Sequence, residues 1–120
     1  MSGELLTSIG QIAINVSDLQ RATEFYREKL GLPFLFTTGN LAFFMCGSVR
    51  LMLDQIEPHH ASVLYYEVEN IQAAADRLKE RGVRFEDEPH RIARLPDHEL
   101  WMTFFRDSEN NLMALMSEVR

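Results

Sequence analysis

The sequence predicts an α+β domain built from two βαβββ modules, each a strand, a helix and three further strands. Three observations lead there. A stretch of strand rhythm opens each half of the chain, one amphipathic helix follows it, and the two halves align with each other. Set above "VENIQAAADRLKERGVRF" (68–85), the segment "VSDLQRATEFYREKLGLPF" (16–34) matches Val16 with Val68, Leu19 with Ile71 and Ala22 with Ala74. After a gap of one residue, Gly31 matches Gly82 and Phe34 matches Phe85.

The elements follow in order. In "IGQIAINVSDL" (9–19) the side chains alternate, with Ile12, Ile14 and Val16 on one face and Gln11, Ala13 and Asn15 on the other. Ser17 and Gln20 have the spacing of a capping box, and Asn70 is a natural cap for the second helix. The first helix shows an apolar stripe of Leu19, Ala22, Tyr26 and Leu30, and the second one of Ile71, Ala74, Ala75 and Leu78. Gly31 and Gly82 suit the left-handed residue that closes a helix. Strands are expected at 34–38, 41–45 and 49–54, then at 84–87, 101–106 and 112–117. Module one therefore covers about 8–54, the connector "QIEPHHA" 55–61, and module two about 62–117. Phe43, Phe44, Phe104 and Phe105 alternate along strands and are expected in the core.

Composition bounds the function. At 120 residues, 46% hydrophobic and 25% charged, the chain reads as one ordinary globular domain. A net charge of −6 and a pI near 5.1 disfavour nucleic acid and anionic membrane as partners. A single cysteine, Cys46, excludes an internal disulfide and suits a reducing compartment. The opening "MSGELLTS" lacks the basic and apolar regions of a signal peptide, and the longest apolar run, "LAFFMC", is far too short to span a bilayer. A cytoplasmic location is the expectation.

The double pattern, with "NVSDLQRATEFYREKLGL" and "WMTFFRDSENNLMALM", resembles the vicinal oxygen chelate superfamily. That group includes glyoxalase I, methylmalonyl-CoA epimerase, fosfomycin-resistance enzymes, extradiol dioxygenases and bleomycin-binding proteins. One departure is visible: the group commonly has D-P-D-G-N where this chain has "DSENN" (107–111). Asn110 then stands in the glycine position, and asparagine tolerates left-handed geometry. The resemblance implies a curved mixed sheet around a cavity with the helices on the outer side. Ile12, Ile14, Val16, Leu64, Tyr66 and Val68 would then lie beneath helices. Gln11, Ala13, Asn15, Val63, Tyr65 and Glu67 would face the cavity.

The resemblance also implies where a metal would sit, with one ligand on each of four strands. Carried over residue by residue, those positions are Gln11, Leu51, Val63 and Ala114. Only Gln11 offers a donor, and an ion there would lose hydration without replacement. No metal or other cofactor is therefore expected. Among the histidines, His59 and His60 read as a solvated loop, while His90 and His98 bracket a polar segment expected at the cavity mouth. Glu67 matches Asn15 in the repeat and could serve as a base or anchor a cationic ligand. Tyr65 and Trp101 could supply stacking surface.

Two functions follow. The first is a small-molecule binding protein comparable to the bleomycin-sequestering members. Its apolar cavity would be lined by Gln11, Asn15, Leu51, Leu53, Val63, Tyr65, Glu67, Ala114 and Met116, with Trp101 beside it and His90 and His98 at its mouth. The alternative is a lyase, isomerase or dioxygenase-type enzyme with a metal site rebuilt from Gln11, Glu67, His90 and His98. Sheet edges that need a cover predict a homodimer.

Overall fold

The computed structural model describes residues 5–120. They divide into two compact units, one of residues 10–63 and one of residues 64–120 together with residues 5–9.

In the first unit, β1 (Ser8–Asn15) leads to α1 (Leu19–Glu24), which continues directly into a π-helical turn (Phe25–Lys29). Three strands follow: β2 (Phe34–Thr38), β3 (Leu41–Cys46) and β4 (Val49–Asp54). They form an antiparallel meander, and β4 then pairs in parallel with β1, giving the order β2-β3-β4-β1. The core is Ala42, Phe44 and Leu53, packed by Ile14, Val16, Leu19, Ala22, Tyr26, Leu32, Phe34 and Leu51. Such burial removes apolar area from water, the main favourable contribution to folding.

Two local expectations change here. The cap of α1 is Asp18 rather than Ser17: its carboxylate accepts from the Arg21 backbone N–H at 3.0 Å, in extended backbone at φ −141°. A carboxylate also complements the positive end of the helix, which a hydroxyl does less well. Leu30, expected in the apolar stripe, is 53% exposed. The cause is the π turn, in which Leu30 N–H reaches back five residues to the Phe25 carbonyl at 3.1 Å. That wider turn shifts the phase of the stripe, and Leu32 packs on the core after Gly31 reverses the chain at φ 70°.

The second unit contains β5 (Val63–Glu67), α2 (Ile71–Glu80), β6 (His90–Arg94), β7 (Glu99–Arg106) and β8 (Leu112–Val119). The order is β5-β8-β7-β6, with β5 parallel to β8 and the others antiparallel. Asn70 caps α2 as expected, accepting from Ala73 N–H at 3.0 Å. The core is Val68, Ile71, Ala74, Ala75, Phe105 and Leu115.

The strand expected at 84–87 is reduced to one bridge, Phe85 with Phe105, and the edge strand is His90–Arg94. The reason is Asp87. Its carboxylate takes Phe104 N–H at 2.9 Å and the Thr103 hydroxyl at 2.7 Å, replacing the ladder. Pro89 then removes a donor. The polar segment bracketed by His90 and His98 is thus strand β6 and its turn into β7.

At the 107–111 turn, Asn110 adopts φ 67°, the left-handed geometry expected of it. Asp107 ties the turn together by accepting from the backbone N–H groups of Glu109 and Asn111, both at 2.8 Å. The Asn111 side chain and backbone hold its carboxyl below the usual range. No helix among the described residues is long and apolar enough to cross a membrane.

Candidate functional site

In the first unit the register decides which side chains share a face. The parallel ladder pairs Gln11 with Arg50, Ala13 with Met52, and Asn15 with Asp54. These six lie on the face turned away from α1, together with Met45, Phe43 and Leu41 from β3. Leu51 and Leu53 are opposite Ile12 and Ile14, and both pack in the core under α1. This corrects the expectation that they line a cavity. A slip of one residue in reading β4 exchanges every side chain between faces, and the residue facing Gln11 is Arg50.

Arg50 is held from two sides. Its Nε donates to Gln11 Oε1, and its guanidinium carbon lies 5.0 Å from the centre of the Phe43 ring. The Phe36 ring stacks on Phe43, with centres 4.6 Å apart and an interplanar angle of 29°. Gln11 is 1% exposed and Phe43 7%, so one amide and one ring, both buried, position a permanent cation.

Asn15 does something different from lining a cavity. Its Nδ2 donates to Asp54 Oδ1 at 2.7 Å and to the Ile56 carbonyl at 2.9 Å. Asp54, 1% exposed, also accepts from His60 Nε2 at 2.9 Å and from Ile56 N–H at 3.3 Å. His60 Nδ1 stands 2.9 Å from the Ala61 carbonyl. Both ring nitrogens thus face acceptor groups, an arrangement that favours the doubly protonated imidazolium. The Ala61 carbonyl first, then the Asp54 carboxylate, raise its pKa, with burial opposing them. His60, expected as part of a solvated loop, is the tether of the connector 55–61. The signal missed in the sequence is the acid at the end of β4, which sits in the core and needs donors.

In the second unit, Tyr65 pairs with Ala114 and Glu67 with Met116, on the face away from α2. Val63, Tyr65, Ala114 and Met116 are all buried there, and Tyr65 meets Phe104 edge-on at 5.8 Å. Glu67 accepts from the Ser8 hydroxyl at 3.1 Å and lines a cavity of about 350 Å³ with Thr7, Glu69, Met116, Ser117 and Glu118. Trp101 is on the other face. It pairs with Ser117, packs against the α2 core, and its indole N–H donates to Glu99 at 3.0 Å. This corrects its placement beside Tyr65 and Glu67, because in β7 Met102 and Phe104 carry that face. His90 sits on edge strand β6 with Nδ1 at 2.9 Å from the Glu88 carbonyl. His98 lies in the β6–β7 turn, 2.7 Å from Asp97 Oδ1, so the two histidines serve separate local partners.

The sequence model of the Glyoxalase/Bleomycin resistance protein/Dioxygenase superfamily matches residues 8–115. The chain belongs to this superfamily. A Bacillus subtilis (strain 168) protein, the uncharacterized protein YraH, is 28% identical to it, covering 88% of this chain and 94% of that protein. The fold is also that of Streptomyces coelicolor methylmalonyl-CoA epimerase, solved with 2-nitronate-propionyl-CoA. The TM-score is 0.76 at 23% identity, over 93% of this chain and 97% of that one. A hypothetical protein from Bacillus halodurans C-125 matches with TM-score 0.75 and 15% identity, over 94% and 95% of the two chains.

The superfamily's usual metal can be tested against the donors present. On β1 the position is Gln11, whose carbonyl oxygen already accepts from Arg50. On β4 the residue facing it is Arg50 itself, which carries five N–H groups and no lone pair. On β5 and β8 the positions are Val63 and Ala114, or by a shift of two residues on the same face Tyr65 and Met116. Among the described residues no three His, Cys, Asp or Glu side chains gather where they could hold an ion. The donors among the described residues do not fit the metal.

Proposed function

We propose that this superfamily member binds a small organic molecule without the metal ion of its metal-dependent relatives. The observation that supports this reading is the Arg50 guanidinium on Gln11 Oε1, which already occupies the oxygen of the one inherited donor. A divalent cation brought there finds that oxygen already taken and no replacement for its water among the described residues. The epimerase structures carry a CoA-derived ligand on the same fold, and that supports a small-molecule site. The enzyme alternative with a rebuilt metal set is less well supported, since His90 and His98 are engaged with Glu88 and Asp97. Elemental analysis of untagged protein is the test. Metal well below one equivalent per chain is expected, and Gln11→Ala leaves it unchanged. One equivalent surviving mild chelation overturns the reading. A thermal-shift screen then finds ligands, because one present at a hundred times its Kd adds about 2.7 kcal/mol.

The same proposal includes a cytoplasmic homodimer. Its support is the edge strand β2, where Leu35 and Phe36 are 44% and 47% exposed and seek a cover. Light scattering at micromolar concentration is expected to give twice the chain mass. A monomer mass independent of dilution contradicts it.

A further inference from the structure

The second unit has a cavity on the α2 side of its sheet, away from the face of Tyr65 and Met116. We propose that this cavity binds a small organic ammonium ion carried on an aromatic or aliphatic body.

The cavity measures about 430 Å³, within the range of about 300–1,000 Å³ typical of small-molecule sites. Its apolar wall comes from Ile71 at the start of α2, Pro89 before β6, Trp101 of β7 and Val119 of β8. Trp101 and Val119 share a face because the ladder pairs Trp101 with Ser117 and Glu99 with Val119. Trp101 is half-buried: it packs on the α2 core and also lines the cavity. Its indole N–H is already given to Glu99 at 3.0 Å, and Glu99 is held in turn by Arg91 and Arg94, each at 3.2 Å. The ring is therefore fixed before a ligand arrives, which lowers the entropic cost of binding. What it has left to offer is its π system, and the indole attracts a cation more strongly than any other side-chain ring.

The charges on the wall select the sign of the ligand. They are Glu69, Glu118 and Arg120. Arg120 directs its fork at carboxylates, donating to Glu118 at 3.1 Å and to Asp97 at 3.2 Å. The positive end of α2 is likewise occupied, since Asn70 accepts from Ala73 N–H at 3.0 Å. Among the described residues the Glu69 carboxylate has no ion-pair partner. An anion would meet two carboxylates and an arginine already engaged, whereas a cation meets the Trp101 ring and Glu69. None of these residues stands at an inherited metal position, so the site is independent of the metal-free reading.

The test titrates phenethylamine and benzyltrimethylammonium against the full chain, beside phenethyl alcohol and phenylacetate at fixed ionic strength. Calorimetry gives the affinity, and the fluorescence of Trp101, the one tryptophan in the sequence, locates the site. Both cations are expected to bind and to change that fluorescence. The alcohol is expected to bind about 3- to 30-fold more weakly, and the acid more weakly still. Trp101→Leu keeps an apolar side chain and is expected to weaken the cations by about the same factor. Because Trp101 also packs on the α2 core, Glu69→Gln is the companion variant. Glu69 is exposed, so this variant is expected to fold normally, to bind the cations about 2- to 5-fold more weakly and to leave the alcohol unchanged. Equal binding of amine, alcohol and acid overturns the proposal. So does calorimetric binding that leaves the Trp101 fluorescence untouched, an affinity for the cations unchanged in either variant, or no cation bound at millimolar concentration.

Discussion

Truncating Phe44 to alanine is expected to lower stability by about 3–5 kcal/mol, the range for deleting a large aromatic side chain from a core that cannot collapse around the gap. Phe44 is fully buried, with ring centres of Phe34 at 5.4 Å and Tyr26 at 5.9 Å. It joins the β-meander to α1, since Tyr26 comes from the π turn and Phe34 from β2. The neighbouring Phe43→Ala removes a ring from the opposite face, so it is expected to loosen the Arg50 side chain as well as lower stability. Phe36→Ala, at a half-exposed position, is expected to cost only about 1 kcal/mol, roughly one aromatic pair. Urea unfolding of the variants checks the ranking. A Phe44→Ala loss no larger than that of Phe36→Ala contradicts the core assignment.

Replacing Asp54 with alanine is expected to cost about 2–3 kcal/mol and to release the connector. The carboxylate accepts from Asn15, His60 and Ile56, and alanine leaves the His60 and Ile56 donors without it. Asn15 retains the Ile56 carbonyl, which limits the loss. The linkage to pH has a definite sign. His60 has a raised pKa in the folded chain, from the Ala61 carbonyl first and Asp54 after it. Its stabilising contribution is therefore full below the unfolded value of about 6.5 and is lost as pH rises through the folded value. The stability difference between the natural chain and His60→Gln is expected to shrink over that window. NMR titration of the His60 ring should give a midpoint above about 6.5, and a lower one after Asp54→Ala. A midpoint at or below the ordinary value in the natural chain refutes the tether.

The fold was legible because both modules repeat the same physics. Alternation in β1 and the Asn70 cap lie in single residues, and the glycines at 31 and 82 mark left-handed ends that other side chains resist. The faces of β4 and β7 were not legible. "VRLMLD" alternates between two partly apolar sets, so periodicity alone cannot say whether Leu51 or Arg50 turns away from the helix. "LWMTFF" is apolar on both faces, and Trp101 could have taken either. Only pairing with a neighbouring strand settles such cases, and pairing is not a local property of sequence. His60 was missed for a related reason: its partner Asp54 is buried by the fold and not by its own hydropathy.

The π turn in the first helix accommodates a difference in length between the two modules. Between its matched alanine and glycine, the first half has one residue more than the second: Ala22 to Gly31 against Ala74 to Gly82. The turn Phe25–Lys29 lies inside that interval, while α2 is regular throughout. An added residue in an ordinary helix would rotate all that follows by about 100°. A single wide turn confines the change, so Gly31 and Leu32 still reach their places and only Leu30 is turned outward. The two modules thus differ by one residue over this interval, and the π turn absorbs the difference. Deleting one residue from "FYREK" is expected to leave a plain α-helix there, with the following leucine turned back to the core.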